Sequence, residues 1–408
     1  MSEAVTRPDR AAEKPPSVFN VGASLRQYGI FLALVLIIVL FQFLTDGRLL
    51  QPNNVTSLVQ QNAYVLILAV GMLLCTLTGN VDLSVGSVVC FIGALCGVMM
   101  VDLQWNPYVA MLVALAVGAL IGMWQGFWIA FVNVPPFIAT LAGMLVFRGL
   151  GQVIMKGQTK APFPREFQVI ASGYIPDPLG GAVIGATKVH LFTLLIGFLI
   201  VLLIIFGEIK KRNKQKHYGF DVLPTGVWLA KVIFIAAALV AFTVVFSVYR
   251  GFPNILVLMG IFVVGYQFVA SKTIQGRHIY ALGGNRKAAE LSGVKVKWVM
   301  FWIYTNMAVL AAVAAMVFTA RLNSATPKAG QGFEMDAIAA CYVGGSAVSG
   351  GVGTVIGAVV GGLFIGVLNN GMSIIGISTD WQQAIKGFVL LAAVAFDLYS
   401  KSRSSKVA

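Results

Sequence analysis

Long uncharged apolar runs constrain this chain more than any other feature. Residues 28–44 read YGIFLALVLIIVLFQFL, and residues 190–206 read HLFTLLIGFLIVLLIIF. Neither run contains an Asp, Glu, Lys or Arg, and a helix needs roughly 20 mostly apolar residues to cross a bilayer. Comparable segments recur along the whole chain, at 28–44, 55–77, 84–101, 108–132, 137–155, 189–207, 227–249, 253–270, 298–320, 334–349, 352–370 and 383–400. Charged residues make up 11% of the chain, against about 25% in a soluble domain, too few to coat a water-exposed globule. The expected fold is therefore an all-α polytopic membrane protein of about 10–12 transmembrane helices. The segments 84–101 and 334–349 are expected to be broken or re-entrant. The polar N-terminus is too long and mixed for a signal peptide. This gives a tail over 1–27, a single transmembrane domain over 28–400 and a second tail over 401–408.

Basic residues orient the segments. Arg7, Arg10, Lys14 and Arg26 precede the first segment. Lys210, Lys211, Arg212, Lys214 and Lys216 follow the sixth, in an expected loop over 208–218. Lys272, Arg277, Arg286, Lys287, Lys295 and Lys297 follow the eighth, and Lys401, Arg403 and Lys406 follow the last. With twelve crossings all four clusters fall on one side, which the positive-inside rule makes cytoplasmic, with both termini there. The net charge of +14 thus reflects topology. A nucleic-acid surface is the rival reading, but no aromatic-basic module accompanies the charge.

Glycines recur at four-residue spacing at Gly118, Gly122 and Gly126, and again at Gly353, Gly357 and Gly361. Small residues so spaced let helix backbones approach closely in lipid. The Gly350–Gly353 stretch lacks a preceding strand and a GxxxxGK[ST] pattern, so the chain has no recognisable nucleotide site of its own and implies no cofactor. Cys75, Cys90, Cys96 and Cys341 lie in apolar stretches without CxxC spacing and read as small packing residues. His190, His217 and His278 are far apart, and no metal site or catalytic residue is expected.

Two stretches break the membrane pattern. In Thr78-Gly79-Asn80-Val81-Asp82-Leu83-Ser84-Val85-Gly86-Ser87, an acid and two hydroxyls sit at a helix start. Asp82 reads either as a cap at a turn or as a functional carboxylate near membrane depth. In Gly332-Phe333-Glu334-Met335-Asp336, acidic residues again open a small-residue helix. Paired interrupted segments in two halves of a chain point to a transport pathway between pseudo-repeats. Arg148, inside the fifth segment, either snorkels or pairs with Asp82 or Asp336. The candidate pathway residues are Asp82, Ser84, Ser87, Arg148 and Asp336. The loop 271–297 holds a third feature: a turn at Gly283-Gly284-Asn285 followed by a short exposed helix over 286–291. This suits docking of a soluble partner better than a merely solvated loop.

The stretches TGNVDLSVGSV (78–88), GRHIYALGGNRKAAELSGV (276–294) and the C-terminal part from Glu334 to Asp397 together resemble the permease subunits of bacterial ABC importers for monosaccharides, the ribose, galactose and xylose group. The resemblance covers about residues 55–400. Asn80 stands where that group more often has glycine, a change expected to matter little. An insertion around 157–230 is absent from shorter ribose-type members, and the layout is closest to xylose-type or multiple-sugar members. The resemblance implies a type II importer permease in the bacterial inner membrane that pairs with a second permease copy and is surrounded by membrane lipid. It also implies cytoplasmic ABC ATPase subunits and a periplasmic sugar-binding protein as partners, and no nucleic acid. The coupling element would be the 271–297 loop, with Gly283, Gly284, Asn285, Ala288, Ala289, Glu290 and Gly293 matching the group's pattern. Such a subunit is not itself an enzyme, ATP hydrolysis lying in the partner. Three alternatives have different requirements. A nucleoside or amino-acid ABC permease would share the architecture. A secondary transporter would not need the docking helix. A membrane enzyme would need a catalytic cluster.

Overall fold

A computed structural model describes residues 21–184, 187–220 and 222–404. The tail cations Arg7, Arg10, Lys14 and Lys406 lie outside the described residues. The helices in chain order are α1 (Val21–Leu44), α2 (Pro52–Leu77), α3 (Val85–Gly97, continued by a π turn over Val98–Asp102), α4 (Pro107–Ala130), α5 (Pro136–Met155), α6 (Arg165–Ser172), α7 (Leu191–His217), α8 (Thr225–Tyr249), α9 (Asn254–Lys272), α10 (Ile274–Gly284), α11 (Arg286–Leu291), α12 (Val296–Leu322), α13 (Phe333–Val343), α14 (Val355–Ile374) and α15 (Thr379–Ser404). Before α7, β1 (Ala182–Ile184) pairs antiparallel with β2 (Thr187–Val189), Ala182 opposite Val189.

Among the described residues nine helices are long and apolar enough to cross a membrane: α2, α3 with its π turn, α4, α5, α7, α8, α9, α12 and α14. The chain is an all-α polytopic membrane protein. The three other expected segments are α1, α13 and α15. With 11 residues, α13 spans only about 16 Å at 1.5 Å per residue, half of a ~30 Å hydrocarbon core. It is a half-helix, and the stretch expected at 334–349 leaves helical geometry after Val343.

Local chemistry sets the helix starts. Pro52, Pro107 and Pro136 open α2, α4 and α5, where a missing N–H costs nothing. The Asn106 carboxamide accepts from the Tyr108 amide at 2.9 Å, and the Thr354 hydroxyl accepts from the Gly357 amide at 3.0 Å.

The core pairs helices from the two halves of the chain. α2 and α12 cross antiparallel, with Tyr64 edge-on to Phe318 at 5.2 Å and Gly71 against Met307 and Leu310. α4 packs along α12: Gly118 faces Ala308 and Ala312, Gly122 faces Thr305, and Gly126 faces Phe301. α14 packs along α2 in the same way, Gly362 against Leu66 and Gly366 against Asn62, with Asn54 and Asn370 exchanging hydrogen bonds at 2.8 and 3.1 Å. α3 runs parallel to α5, Gly143 beside Ser84 and Gly151 beside Phe91, and α13 lies against α15. The run α2–α5 therefore corresponds to α12–α15 with inverted direction, the arrangement that paired interrupted segments suggest. α7, α8 and α9 stand outside this core with large apolar side chains outward, such as Leu203, Phe206, Phe234 and Val264.

Three local expectations change. The cations expected in a 208–218 loop ride on the last turns of α7, because no breaker precedes Gly219 and cations complement a helix C-terminus. Gly283 and Gly284 do not form a turn but close α10, so the bend is Asn285 alone. Gly353 precedes α14, leaving Gly357 and Gly361 to meet α13 at Gly344 and Ala340. The first glycine series packs as expected. A Cβ on Gly122 would overlap the Thr305 backbone, and backbone cannot move aside as a side-chain tip can. Gly122→Leu is expected to cost at least about 1–3 kcal/mol and to lower the thermal unfolding midpoint of the detergent-purified protein. An unchanged midpoint would contradict this packing.

Candidate functional site at the paired helix breaks

Each half of the core contains one interruption, residues 78–84 before α3 and residues 323–332 before α13. These breaks meet. A Cβ on Gly86 would strike the Gly330 carbonyl, and a Cβ on Gly330 would strike that of Gly86. Gly330 also has φ +71, which glycine alone adopts without cost. The two short helices start side by side and run apart, so their positive N-terminal ends share one locality inside the protein.

Side chains of both signs gather there. Asp82 is 1% exposed, and its Oδ1 accepts from the Ser84 amide at 2.8 Å and the Ser84 hydroxyl at 2.6 Å. This oxygen ties the turn before α3 without capping a first-turn amide, and Oδ2 is buried without a partner. The carboxylate of Glu334 lies against Gly86. Arg148 pairs with neither Asp82 nor Asp336. Its guanidinium donates to the carbonyls of Ala329 at 2.5 Å and Gly330 at 3.2 Å, holding the second break to α5, with Glu334 the acid in its field. Asp336 instead takes Lys386 of α15 at 2.7 Å, the two side chains 6% and 19% exposed.

A group of orphaned polar atoms lies here. Among the described residues, Asp82 Oδ2, the Ser87 hydroxyl, both Gln125 amide atoms, the Tyr304 hydroxyl and Glu334 Oε2 are buried and unpartnered. Gln125 reaches Gly143, which also touches Ser84, and Tyr304 stands within electrostatic range of Asp82. An unpaired buried polar group costs about 1–3 kcal/mol. A cluster of them through an apolar bundle is a polar seam. Asp82, Ser84, Ser87 and Arg148 therefore come together, whereas Asp336 sits apart in its ion pair. Glu334, Gln125, Tyr304 and Lys386 were missed from sequence. Gln125 was legible as a polar residue beside the Gly122–Gly126 face, and Lys386 as a lone cation in the last segment. Nothing in the sequence marked the Tyr304 hydroxyl as unpaired.

The end of α2 beside the first break and the loop between α13 and α14 also reach α10. The Gly351 amide donates to the Leu77 carbonyl at 2.8 Å, and Gly283 is wedged against both residues, with no room for a Cβ. The Tyr280 hydroxyl donates to the Gly353 carbonyl at 2.7 Å, and burial pushes its pKa up, so it stays a donor. Asn285 bends the chain, and its Oδ1 accepts from the Ala288 amide at 2.9 Å. Gly284, Asn285, Ala288, Glu290 and Gly293 are exposed, as is Leu291 at 78%, while Ala289 is buried. Ala289 thus anchors α11 rather than presenting itself. A cleft beside α11 is lined by Asn133, Pro135, Arg286 and Lys297.

The model of the family "Branched-chain amino acid transport system / permease component" matches residues 54–394. The chain is 35% identical to the xylose transport system permease protein XylH of Haemophilus influenzae, over 93% of this chain and 98% of that protein. It is 34% identical to the protein of the same name from Escherichia coli K12, over 93% and 94%. It is 33% identical to the ribose import permease protein RbsC of that strain, over 85% of each. No solved structure matches at a significant level.

The Lys386–Asp336 pair makes a direct prediction. Lys386→Met strands a buried carboxylate and is expected to destabilise the protein by about 3–5 kcal/mol. The double variant Lys386→Met/Asp336→Asn should recover most of that in thermal unfolding. Equal losses in the single and double variants would mean the pair is not coupled.

Proposed function

The chain belongs to the branched-chain amino acid transport system permease component family, and on that premise we propose that it is the membrane-spanning subunit of an ATP-driven importer of a monosaccharide, xylose or a related sugar. The observation that carries this is the likeness to two xylose transport permeases over nearly the full length of each chain. The amino-acid wording of the family model favours one second reading, an amino-acid permease of the same architecture.

The subunit sits in the inner membrane with both termini and the α10–α11 face in the cytoplasm, a reading supported by the distribution of basic residues. It pairs with a second copy and receives sugar from a periplasmic binding protein. ATP hydrolysis belongs to a separate ABC ATPase docked on α10–α11. Gly284, Asn285, Ala288, Glu290 and Gly293, together with Leu291, offer the exposed contact, and Ala289 and Gly283 brace it from within. Movement of α10 bears on the end of α2 beside the first break through Gly283, and on the α13–α14 loop through Gly283 and Tyr280. The breaks join the two inverted units, so the load is carried to the polar seam of Asp82, Ser84, Ser87, Gln125, Arg148 and Glu334. A sugar needs transient hydrogen bonds along its path rather than a tight site, and orphaned donors and acceptors supply these when the units rock apart. Asp336 holds α13 to α15 and acts by positioning.

Purified chain, ATPase and binding protein reconstituted in vesicles test this. ATP-driven uptake of a pentose is expected; failure with every pentose and hexose, with uptake of an amino acid, would overturn the sugar assignment. Exposed Glu290→Lys should cut substrate-stimulated ATP hydrolysis at least about tenfold by reversing a charge at the contact, without altering the thermal unfolding of the isolated chain. Full stimulation in that variant would remove α11 from the interface.

A further inference from the structure

On the face proposed to be cytoplasmic, the cleft beside α11 is bounded by residues far apart in the sequence. One wall is the α4–α5 turn, with Asn133, Pro135 and Pro136. The other is the start of α11 and of α12, with Arg286, Lys297 and Met300. The turn is preformed. Asn133 has φ +64, the left-handed conformation in which many helices end. The amides of Val132 and Val134 return to the carbonyls of Phe127 and Trp128 at 3.3 and 3.0 Å. Pro135 and Pro136 then fix the backbone as it enters α5. The cleft measures about 150 Å³, short of the ~300 Å³ at which small-molecule pockets begin. It has room for a side chain rather than for a small-molecule ligand.

Its charge is of one sign. Arg286 and Lys297 are exposed, and among the described residues neither is in an ion pair. No carboxylate lines the cleft, and its acceptors are neutral: the Asn133 carboxamide and main-chain carbonyls. Glu290, the one acid of α11, stands 3.8 Å from Lys287. Lys295, two positions before Lys297, is exposed as well. A preformed cleft with two unpaired cations is complementary to a negative side chain. It is also continuous with the α11 surface, since Arg286 is the first residue of α11 and a lining residue of the cleft. A partner seated on α11 therefore reaches it. The exposed pair Glu290 and Leu291 on α11 suits a protein surface, whereas an anionic headgroup would meet Glu290 as a like charge.

We propose that the α4–α5 turn is a second docking element for the ATPase subunit, and that an acidic side chain of that subunit enters the cleft between the turn and the Arg286 and Lys297 side chains. This rests on the reading of the chain as an importer subunit and adds a contact to it. The contact bears on a different part of the bundle from α10, because α5 carries Arg148, whose guanidinium holds the second break.

The test uses the full-length chain in lipid nanodiscs, with and without the purified ATPase subunit. Cys75, Cys90, Cys96 and Cys341 are buried, so maleimide labelling reports an introduced cysteine. Pro135→Cys places one on the turn and Leu291→Cys one on α11, both at exposed positions. The ATPase subunit should slow labelling at both sites about tenfold, as burial in an interface core excludes the reagent. Protection of Leu291→Cys alone would overturn the proposal and leave the importer reading standing. Protection of neither would overturn ATPase docking on this face altogether. Arg286→Gln/Lys297→Gln should raise the Kd for the ATPase subunit about tenfold and flatten its dependence on salt. This variant covers the case of Pro135→Cys failing to fold, and a wild-type Kd and salt dependence in it would overturn the acidic side chain. Without the ATPase subunit, Pro135→Cys should label equally fast in phosphatidylglycerol and phosphatidylcholine. Protection by phosphatidylglycerol would make the occupant a lipid headgroup and overturn the proposal too.

Discussion

A main-chain amide or carbonyl inside a membrane must find its partner in the protein, because no water is there to take it. The two breaks violate helical pairing at that depth, and the rest of the structure is arranged to make them tolerable. The breaks lie against each other at Gly86 and Gly330, where any side chain would collide. Arg148 donates to two carbonyls of the second break, and Asp82 accepts from the Ser84 amide and hydroxyl just before α3. The Leu77 carbonyl is met by the Gly351 amide of the other unit. Each break is completed by residues more than 100 positions away in sequence.

That mutual completion makes the centre sensitive to movement. The glycine faces of α4 and α14 clamp α12 and α2 backbone to backbone, so within each clamp there is little room to deform. The polar seam is different, since its buried atoms are not fully paired in this arrangement. Tight apolar contacts beside a poorly satisfied polar seam are the conditions under which two packed bodies shift relative to one another along the seam. The α10–α11 element touches the end of α2 beside the first break and the loop between α13 and α14.

Much of this was legible in the residues. The apolar runs marked the helix class and the nine spans found among the described residues, and the four-residue glycine spacing marked Gly118, Gly122 and Gly126 as a close-packing face without naming α12 as its partner. Asp82 and Ser84 were recognised as a helix start. The errors have physical causes. For Arg148 the sequence offers snorkelling or a carboxylate, and the structure gives neither, because backbone carbonyls freed by the 323–332 break are nearer. The Gly283-Gly284 pair was read as a turn because glycine is permissive, whereas Gly283 is needed for its missing side chain. The 208–218 cations were assigned to a loop because they end the apolar run, but nothing there stops a helix before Gly219.

By itself the sequence determined what local chemistry and solvent dictate: which segments enter the membrane, where helices start and where the pattern fails. Apolar length and proline or cap chemistry act over a few residues, so they can be read from a few residues. Tertiary structure alone decided that the two failures of pattern meet. It alone left Asp82 Oδ2, Gln125 and Tyr304 unpaired, gave Asp336 to Lys386, and turned Ala289 inward. Those outcomes depend on which backbones approach within a side chain's width, and that distance is set by the packing of the whole bundle.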